Sequence, residues 1–583
     1  MSTETHVPEP HLTDAAPRTS GALLRRTLRR QRRPLAASVA LVTVWQVAEL
    51  LVPVLIGVII DRAVVTGDVA RMAWWAVVLA GHFVVLSLSY RYGARIGLRA
   101  LQTESHALRT EVSAHVLSPR GARTDRLPGD VLTVATTDAE MVAAVLRQVS
   151  FTAAAVVGLV VSAVVLAAID LVLALVVLVG VPTVLGVTQA LSPRLARRSE
   201  VRQEALGRAT GLASDFVRGA RPLKGIGAEE VALDRYRRQS RQAATASVGA
   251  ARWEGLMHGM TSGLSGVFLA VVALVAGVRA VEGDLAIGEL VAVVGLSQFL
   301  SEPLRMLTYL IAQLAQSRAS AGRIASFLAS PPLVLAADTP AAAPAAPSRA
   351  PLALDAVGFG PLRDVSLAAE PGTLTAVVVE DPTEAAALMT LLRGEAVPDS
   401  GAVLVGGVAL TAQTVDQVRS VLLVADHHVD LFEGTVLSNI DPTGRLGPDE
   451  LQRVLAASAA DELVAQAAAG TAEQVTVGGT TLSGGQRQRL GLARALAADP
   501  HVLVLHDPTT SVDTVTEARI AEGLRALRHP DGPGTRSTVV LTSSPALLAR
   551  ADVVVHLRDG LVRARGTHAD LVRDEAYAAA VLR

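Results

Sequence analysis

Residues 482–513 read LSGGQRQRLGLARALAADPHVLVLHDPTTSVD. The stretch places Ser483, Gly484, Gly485 and Gln486 at the start of a helical segment, then passes into HVLVL (501–505), a short apolar run of strand character. A helix N-terminus carries unpaired N–H groups and partial positive charge, so a hydroxyl and glycine N–H groups there suit an anion. Working outward, LTAVVV (374–379), SVLLVA (420–425) and STVVLT (537–542) are runs of the same kind, separated by helical segments. That alternation predicts an α/β domain with a largely parallel sheet.

Upstream the character changes. Residues 336–351, AADTPAAAPAAPSRAP, are rich in Ala and Pro and cannot make a core. They predict a linker over 331–352, between a first part at 21–330 and a second at 353–583. Residues 1–20 are polar, with Pro and acidic residues, and predict a disordered tail. No apolar segment follows a short basic start, so no cleavable signal peptide is expected. The 583 residues imply two or more domains. Mean hydropathy is +0.41, and it comes from long apolar runs in the first part. The net charge of -1 gives no electrostatic ground for a nucleic-acid partner. The absence of cysteine excludes disulfides, thiolate metal sites and cysteine nucleophiles. Lys224 is the only lysine.

A membrane span needs about 20 mostly apolar residues. Six stretches qualify: 36–60, 72–90, 148–168, 170–190, 257–281 and 288–314. The loop 91–147 carries 8 Arg and the loop 191–253 carries 13 Lys and Arg, while the shorter connections carry few. The excess of positive charge predicts that both long loops, the N-terminus and the second domain are cytoplasmic. Both loops have helical periodicity and are expected to turn near Pro119-Arg120-Gly121 and Gly225-Ile226-Gly227. RRTLRRQRR (25–33) reads as an interfacial helix. Glu49, with Gln46 one turn before it, is a candidate for a polar cavity inside the membrane. His82, Gln298 and Gln313 are further candidates.

The 482–513 stretch resembles the signature-to-Walker-B block of ABC-transporter ATPases. PGTLTAVVV (371–379), PDSGAVLVGG (398–407), LFEGTVLSNI (431–440), ADVVVHLRDG (551–560) and GTHADLV (566–572) follow the order and spacing of that family. The spans and GDVLTVATTDAE (129–140) resemble the membrane part of a fused exporter half. The resemblance implies an all-α six-helix transmembrane domain followed by an α/β P-loop-NTPase-like domain, in a multi-pass protein of the cell membrane. It also implies ATP with Mg²⁺, sandwiched between the Walker motifs of one nucleotide domain and the signature of another. Ser483 to Gln486 supply the signature and Asp513 the D-loop.

The Walker A pattern G-x-x-x-x-G-K-[ST] wraps phosphates with glycine backbone and neutralises them with lysine. In VVVEDPTEAAALMTLL (377–392) its positions fall on Val379, Glu384, Ala385 and Ala386. The Walker B Asp falls on His506, the catalytic Glu on Asp507, the Q-loop Gln on His427 and the switch His on Ser543. The aromatic that stacks on adenine is missing, since FGP (359–361) runs straight into the next strand. A metal site at His427, His428 and His506 is not expected. The resemblance thus implies an ATPase only within a heterodimer, beside a second half-transporter with intact Walker motifs. It implies export of an unidentified small-molecule, peptide or lipid-like cargo, although some members with this membrane fold import iron chelates. The alternative is a non-ATPase membrane protein that uses the second domain as a binding or regulatory module. Against it stands the expectation that a domain freed from ATP has no physical reason to keep Ser-Gly-Gly-Gln at a helix start.

Overall fold

Long helices dominate from Ser20 to Leu328 and a sheet-based domain follows, as the change in sequence pattern predicts. The computed structural model describes residues 19–340, 350–530 and 534–582. Most of the expected tail and residues 341–349 of the expected linker lie outside the described residues. The chain divides into two compact units. One comprises the residues up to His115 together with Thr124–Ser330, and the other Val116–Arg123 together with Pro331–Arg583.

The first unit is helical. Ser20–Arg30 is docked by Arg26, whose guanidinium donates to both oxygens of Glu111 at 2.9 and 2.7 Å, and by Thr27, which donates to the buried Glu104 at 3.0 Å. Helices Val69–Val116, Leu171–Arg218 and Glu229–Val281 have 48, 48 and 53 residues. At about 1.5 Å per residue each is about 70–80 Å long, well over twice the roughly 30 Å apolar thickness of a bilayer. The last two pack along each other and are joined through Ala220–Gly225, with Gly227 at φ +65° in the turn. Asp170 makes the tight turn between Val145–Ile169 and Leu171–Arg218. It caps the second helix by accepting from the Leu173 N–H at 2.9 Å and pairs with Arg279 at 2.7 Å. Leu166, Leu173, Val177, Val272, Val293 and Leu296 make a buried core, while Val77, Val84, Val160, Val179, Val267 and Leu274 point outward. An apolar outer face is what a lipid-facing bundle requires.

Among the described residues, four helical segments are long and apolar enough to cross a membrane: Arg32–Val64, Val69–Val116, Pro128–Ile169 and Glu229–Val281. The predicted span 170–190 lies within the unbroken helix Leu171–Arg218, whose described apolar part is Leu171–Val184, and 288–314 falls on Ile287–Phe299 and the start of Ser301–Leu328. Ile287–Phe299 stops at Leu300, where Ser301–Leu328 begins. Pro303 supplies the reason, because it has no N–H to offer the Phe299 carbonyl one turn earlier.

The second unit carries a six-stranded sheet in the order Leu561–Gly566, Val553–Arg558, Leu374–Val379, Ser537–Leu541, Val502–His506, Leu422–Ala425. The last five strands are parallel and the first is an antiparallel edge. An antiparallel sheet of Leu362–Ala369, Leu352–Phe359, Ser400–Val405 and Val408–Ala409 accompanies it. Buried Val and Leu of the parallel strands pack on Ala387, Leu388, Leu391 and Leu392 on one side and on Leu490, Ala493, Leu496 and Ile520 on the other. The turn at Pro119-Arg120-Gly121 belongs to this unit. Its Arg120 donates to the Ala337 carbonyl and Arg419 donates to the Pro119 carbonyl, at 2.7 and 2.9 Å.

Candidate functional site

Parallel strands collect functional groups beyond their carboxyl ends. Polar residues singled out along the sequence lie there: His506 and Asp507 at the end of Val502–His506, Ser543 after Ser537–Leu541, and His427 after Leu422–Ala425, with Glu380 joining them after Leu374–Val379. Strand and helix are separated by two residues only, Glu380 and Asp381, since the next helix starts at Pro382. A turn this short cannot wrap a phosphate chain.

That helix keeps its N-terminus for itself. Pro382 has no N–H. The Thr383 N–H donates to Asp381 Oδ1 at 2.8 Å, and the Glu384 and Ala385 N–H groups donate to the Asp381 carbonyl at 3.0 and 3.2 Å. The Thr383 bonds hold the Asp381 carboxyl below its ordinary range. Glu384, only 4% exposed, accepts from the Gly560 N–H at 2.7 Å through Oε1. Its Oε2 is buried without a partner. Burial first, and the charges of Asp381, Asp559 and Glu380 next, push the Glu384 carboxyl up, against the pull of the Gly560 bond. Glu380 pairs with the buried His556 at 3.0 Å. Val379, Ala385 and Ala386 bring no polar side chain to this turn.

On the neighbouring strands, the His427 and His506 rings meet edge to face with centroids 5.0 Å apart. Burial lowers the His506 pKa and raises that of Asp507, whose backbone sits at φ +44°. Ser543 is exposed. Among the described residues no group of three or more His, Asp or Glu is arranged to hold a metal ion.

The helix Gly484–Ala497 begins differently. Ser483 Oγ accepts from the Gln486 N–H at 3.2 Å and Gln486 Oε1 accepts from the Ser483 N–H at 2.9 Å, a reciprocal capping box. The Gly484 and Gly485 N–H groups make no hydrogen bond among the described residues. A Cβ at Gly485 would lie 2.6 Å from the Ser511 carbonyl, so only glycine fits. Gln488 ties the helix to the adjoining loop by donating to Thr510 Oγ1 and accepting from the Ser511 N–H, at 2.7 and 2.8 Å. Asp513 caps the next helix, Thr514–Arg528. The expectation that nothing but ATP would keep Ser-Gly-Gly-Gln here is therefore corrected. Three of the four residues have a local structural use, and the S-x-x-Q spacing already carried that signal.

In the first unit Gln46 is buried between its own helix and Val145–Ile169, against Gly158. Glu49 lies one turn further along the same helix.

Two family models match in succession: "ABC transporter transmembrane region" over residues 35–304 and "ABC transporter" over 362–510. A multidrug efflux ATP-binding/permease protein of Mycobacterium bovis is 30% identical over 551 residues, covering 92% of this chain and 45% of its own length. The chain thus spans about half the length of that relative. An ATP-dependent lipid A-core flippase of Xylella fastidiosa is 29% identical over 406 residues, 67% of each protein. A solved bacterial Atm1-family ABC exporter with ATP bound superposes with a TM-score of 0.75 at 22% identity, over 95% of this chain and 98% of that one, a likeness of fold.

Proposed function

We propose, for a chain that belongs to the ABC transporters of exporter type, that its nucleotide domain completes an active site held by a partner and builds none of its own. The carrying observation is the contrast between two helix starts. At Gly484 two glycine N–H groups are left without a hydrogen bond among the described residues, beside the Ser483 hydroxyl that caps the helix. At Pro382 every N–H of the first turn is already used, and Glu380, Asp381 and Glu384 stand where phosphates would lie. One like-charge pair at ~4 Å costs about 4 kcal/mol at a partly buried site. No lysine offsets it, and imidazoles of His427 and His506 replace the amide and carboxylate that would support Mg²⁺. This crevice does not fit Mg-ATP.

The arrangement supports a heterodimer in a multi-pass membrane assembly. The partner half-transporter holds ATP and Mg²⁺ in its own Walker motifs, and Ser483 to Gln486 with Asp513 of this chain close over it. Asp507 is left as a remnant at the position of the catalytic Glu. The span boundaries, the cytoplasmic placing of the 353–583 domain and export of cargo belong to the same proposal. The non-ATPase reading retains one observation in its favour, the capping box, which gives Ser483 and Gln486 a use without nucleotide. Mg²⁺-dependent ATPase activity of the chain alone and of the pair separates the two. The chain alone is expected to be inactive and the pair active. A pair whose rate ignores Ser483→Asp, a change that keeps the cap, would sink the completion reading.

A further inference from the structure

The first unit contains a cavity of about 370 Å³, formed between helices Val145–Ile169 and Ser301–Leu328. Its volume is in the range that holds a small organic ligand. Phe151, Met306 and Leu310 give it an apolar wall, and Arg147, Gln148 and Gln313 line the rest. Arg147 is the last charged residue before the uncharged run 149–169. It is exposed, and among the described residues it has neither a hydrogen bond nor an ion pair. Some arginines of this unit pair with an acid, Arg26 with Glu111, Arg279 with Asp170 and Arg323 with Asp138, while Arg91, Arg95 and Arg252, like Arg147, have no ion pair among the described residues. Gln148 donates to Gln313 Oε1 at 2.8 Å, which leaves Gln148 Oε1 buried with no donor. Among the described residues, a cation without a counter-charge and a buried acceptor without a donor, side by side against an apolar wall, are three complementary demands on one ligand.

We propose that this cavity binds an amphipathic organic anion carrying an N–H or O–H donor near its charged group, and that such an anion is the cargo class of this chain. Its acidic group answers Arg147, its donor answers Gln148 Oε1, and its apolar body lies on Phe151, Met306 and Leu310. The cargo half of the statement rests on the transporter reading above; the binding half does not.

Trp45 provides the readout, because its ring centroid is 6.1 Å from that of Phe151. The full chain, with Trp74, Trp75 and Trp253 replaced by Phe, is placed in phosphatidylcholine nanodiscs without nucleotide or partner. It is titrated with an N-acylglycine whose brominated tail quenches tryptophan on contact. Saturable quenching is expected. Arg147→Gln is expected to weaken binding at least about tenfold, to the level of the uncharged methyl ester, and Arg147→Lys to keep most of the affinity. Gln148→Leu is expected to abolish the preference for the acylglycine over a plain fatty acid of equal length. Competition by phosphatidylglycerol added to the disc would assign the anion to a membrane lipid, and no competition to a free amphiphile; both keep the class. Equal binding of the methyl ester, or an affinity unmoved by Arg147→Gln, would overturn it. If the probe fails while the Ser483 test succeeds, the transporter reading stands and the cargo class falls.

Discussion

The helix beginning at Pro382 and the helix beginning at Gly484 both carry the partial positive charge of a helix N-terminus. They differ in what is set against it. At Pro382 a carboxylate, Asp381, is the cap, a second acidic side chain, Glu384, is buried in the first turn, and no donor is left over. At Gly484 the cap is neutral, no acid lies in the first turn, and two N–H groups have no hydrogen bond among the described residues. The first terminus is closed by its own chain and the second is left for something else. What a nucleotide domain offers to phosphate is decided by which donors the fold leaves unspent, beyond the presence or absence of a motif.

The contrast breaks most completely if the open terminus is given the chemistry of the closed one. Ser483→Asp keeps an N-cap acceptor for the Gln486 N–H and adds a charge facing the incoming phosphate. With the partner present, the steady-state ATPase rate is expected to fall at least about 100-fold, the scale of losing a positioned donor at a developing charge. Hydrogen exchange of Gly484–Ala497 is expected to stay as it was. A fall in rate accompanied by loss of protection would mean that the helix start had melted and the charge had not acted.

The next effect lies at the closed terminus. Glu384→Ala removes the acceptor of the Gly560 N–H and is expected to cost about 1–3 kcal/mol, seen as lower hydrogen-exchange protection of Pro382–Leu392 and Val553–Arg558. Glu384→Gln keeps an acceptor and is expected to cost little. The pH dependence has a definite sign. The Glu384 carboxyl titrates above its ordinary range when folded. Its contribution is fully present below that ordinary range and is lost as pH rises through the folded value, because the folded form binds the extra proton. Glu384→Gln should flatten this segment of the profile. Wild-type protection that rises with pH there would mean that Glu384 is held as a carboxylate.

These contacts divide by how far along the chain their causes lie. The strands at 374–379 and 502–506 and the helix start at Ser483 were legible because alternation, β-branching and the S-x-x-Q spacing are local. The Glu384–Gly560 and Glu380–His556 contacts were not, since each joins residues 176 apart that meet only once parallel strands are in register. The cavity at Arg147 was half legible. Gln313 stood out as a polar residue within an apolar run, but Gln148 and Arg147 looked like the edge of a span until two helices came together. The break at Leu300 is signalled in the sequence by Pro303 but not by hydropathy, which does not register a residue that has no N–H to give.

The smallest effect sharpens the comparison most. Ser483→Ala removes only the hydroxyl acceptor of the Gln486 N–H, and the capping loss is about 1 kcal/mol. Exchange in the first turn of Gly484–Ala497 should quicken by the corresponding factor in the chain alone, with no nucleotide present. Ser483→Thr, which retains the hydroxyl, should not show it. The same pair of variants assayed for ATPase with the partner then apportions the two uses of one residue. If Ser483→Ala lowers the rate by no more than the cap is worth, the hydroxyl serves the helix and the glycine N–H groups alone meet the phosphate. If the rate falls well beyond it, the hydroxyl is itself a phosphate ligand, and the capping box describes its resting state.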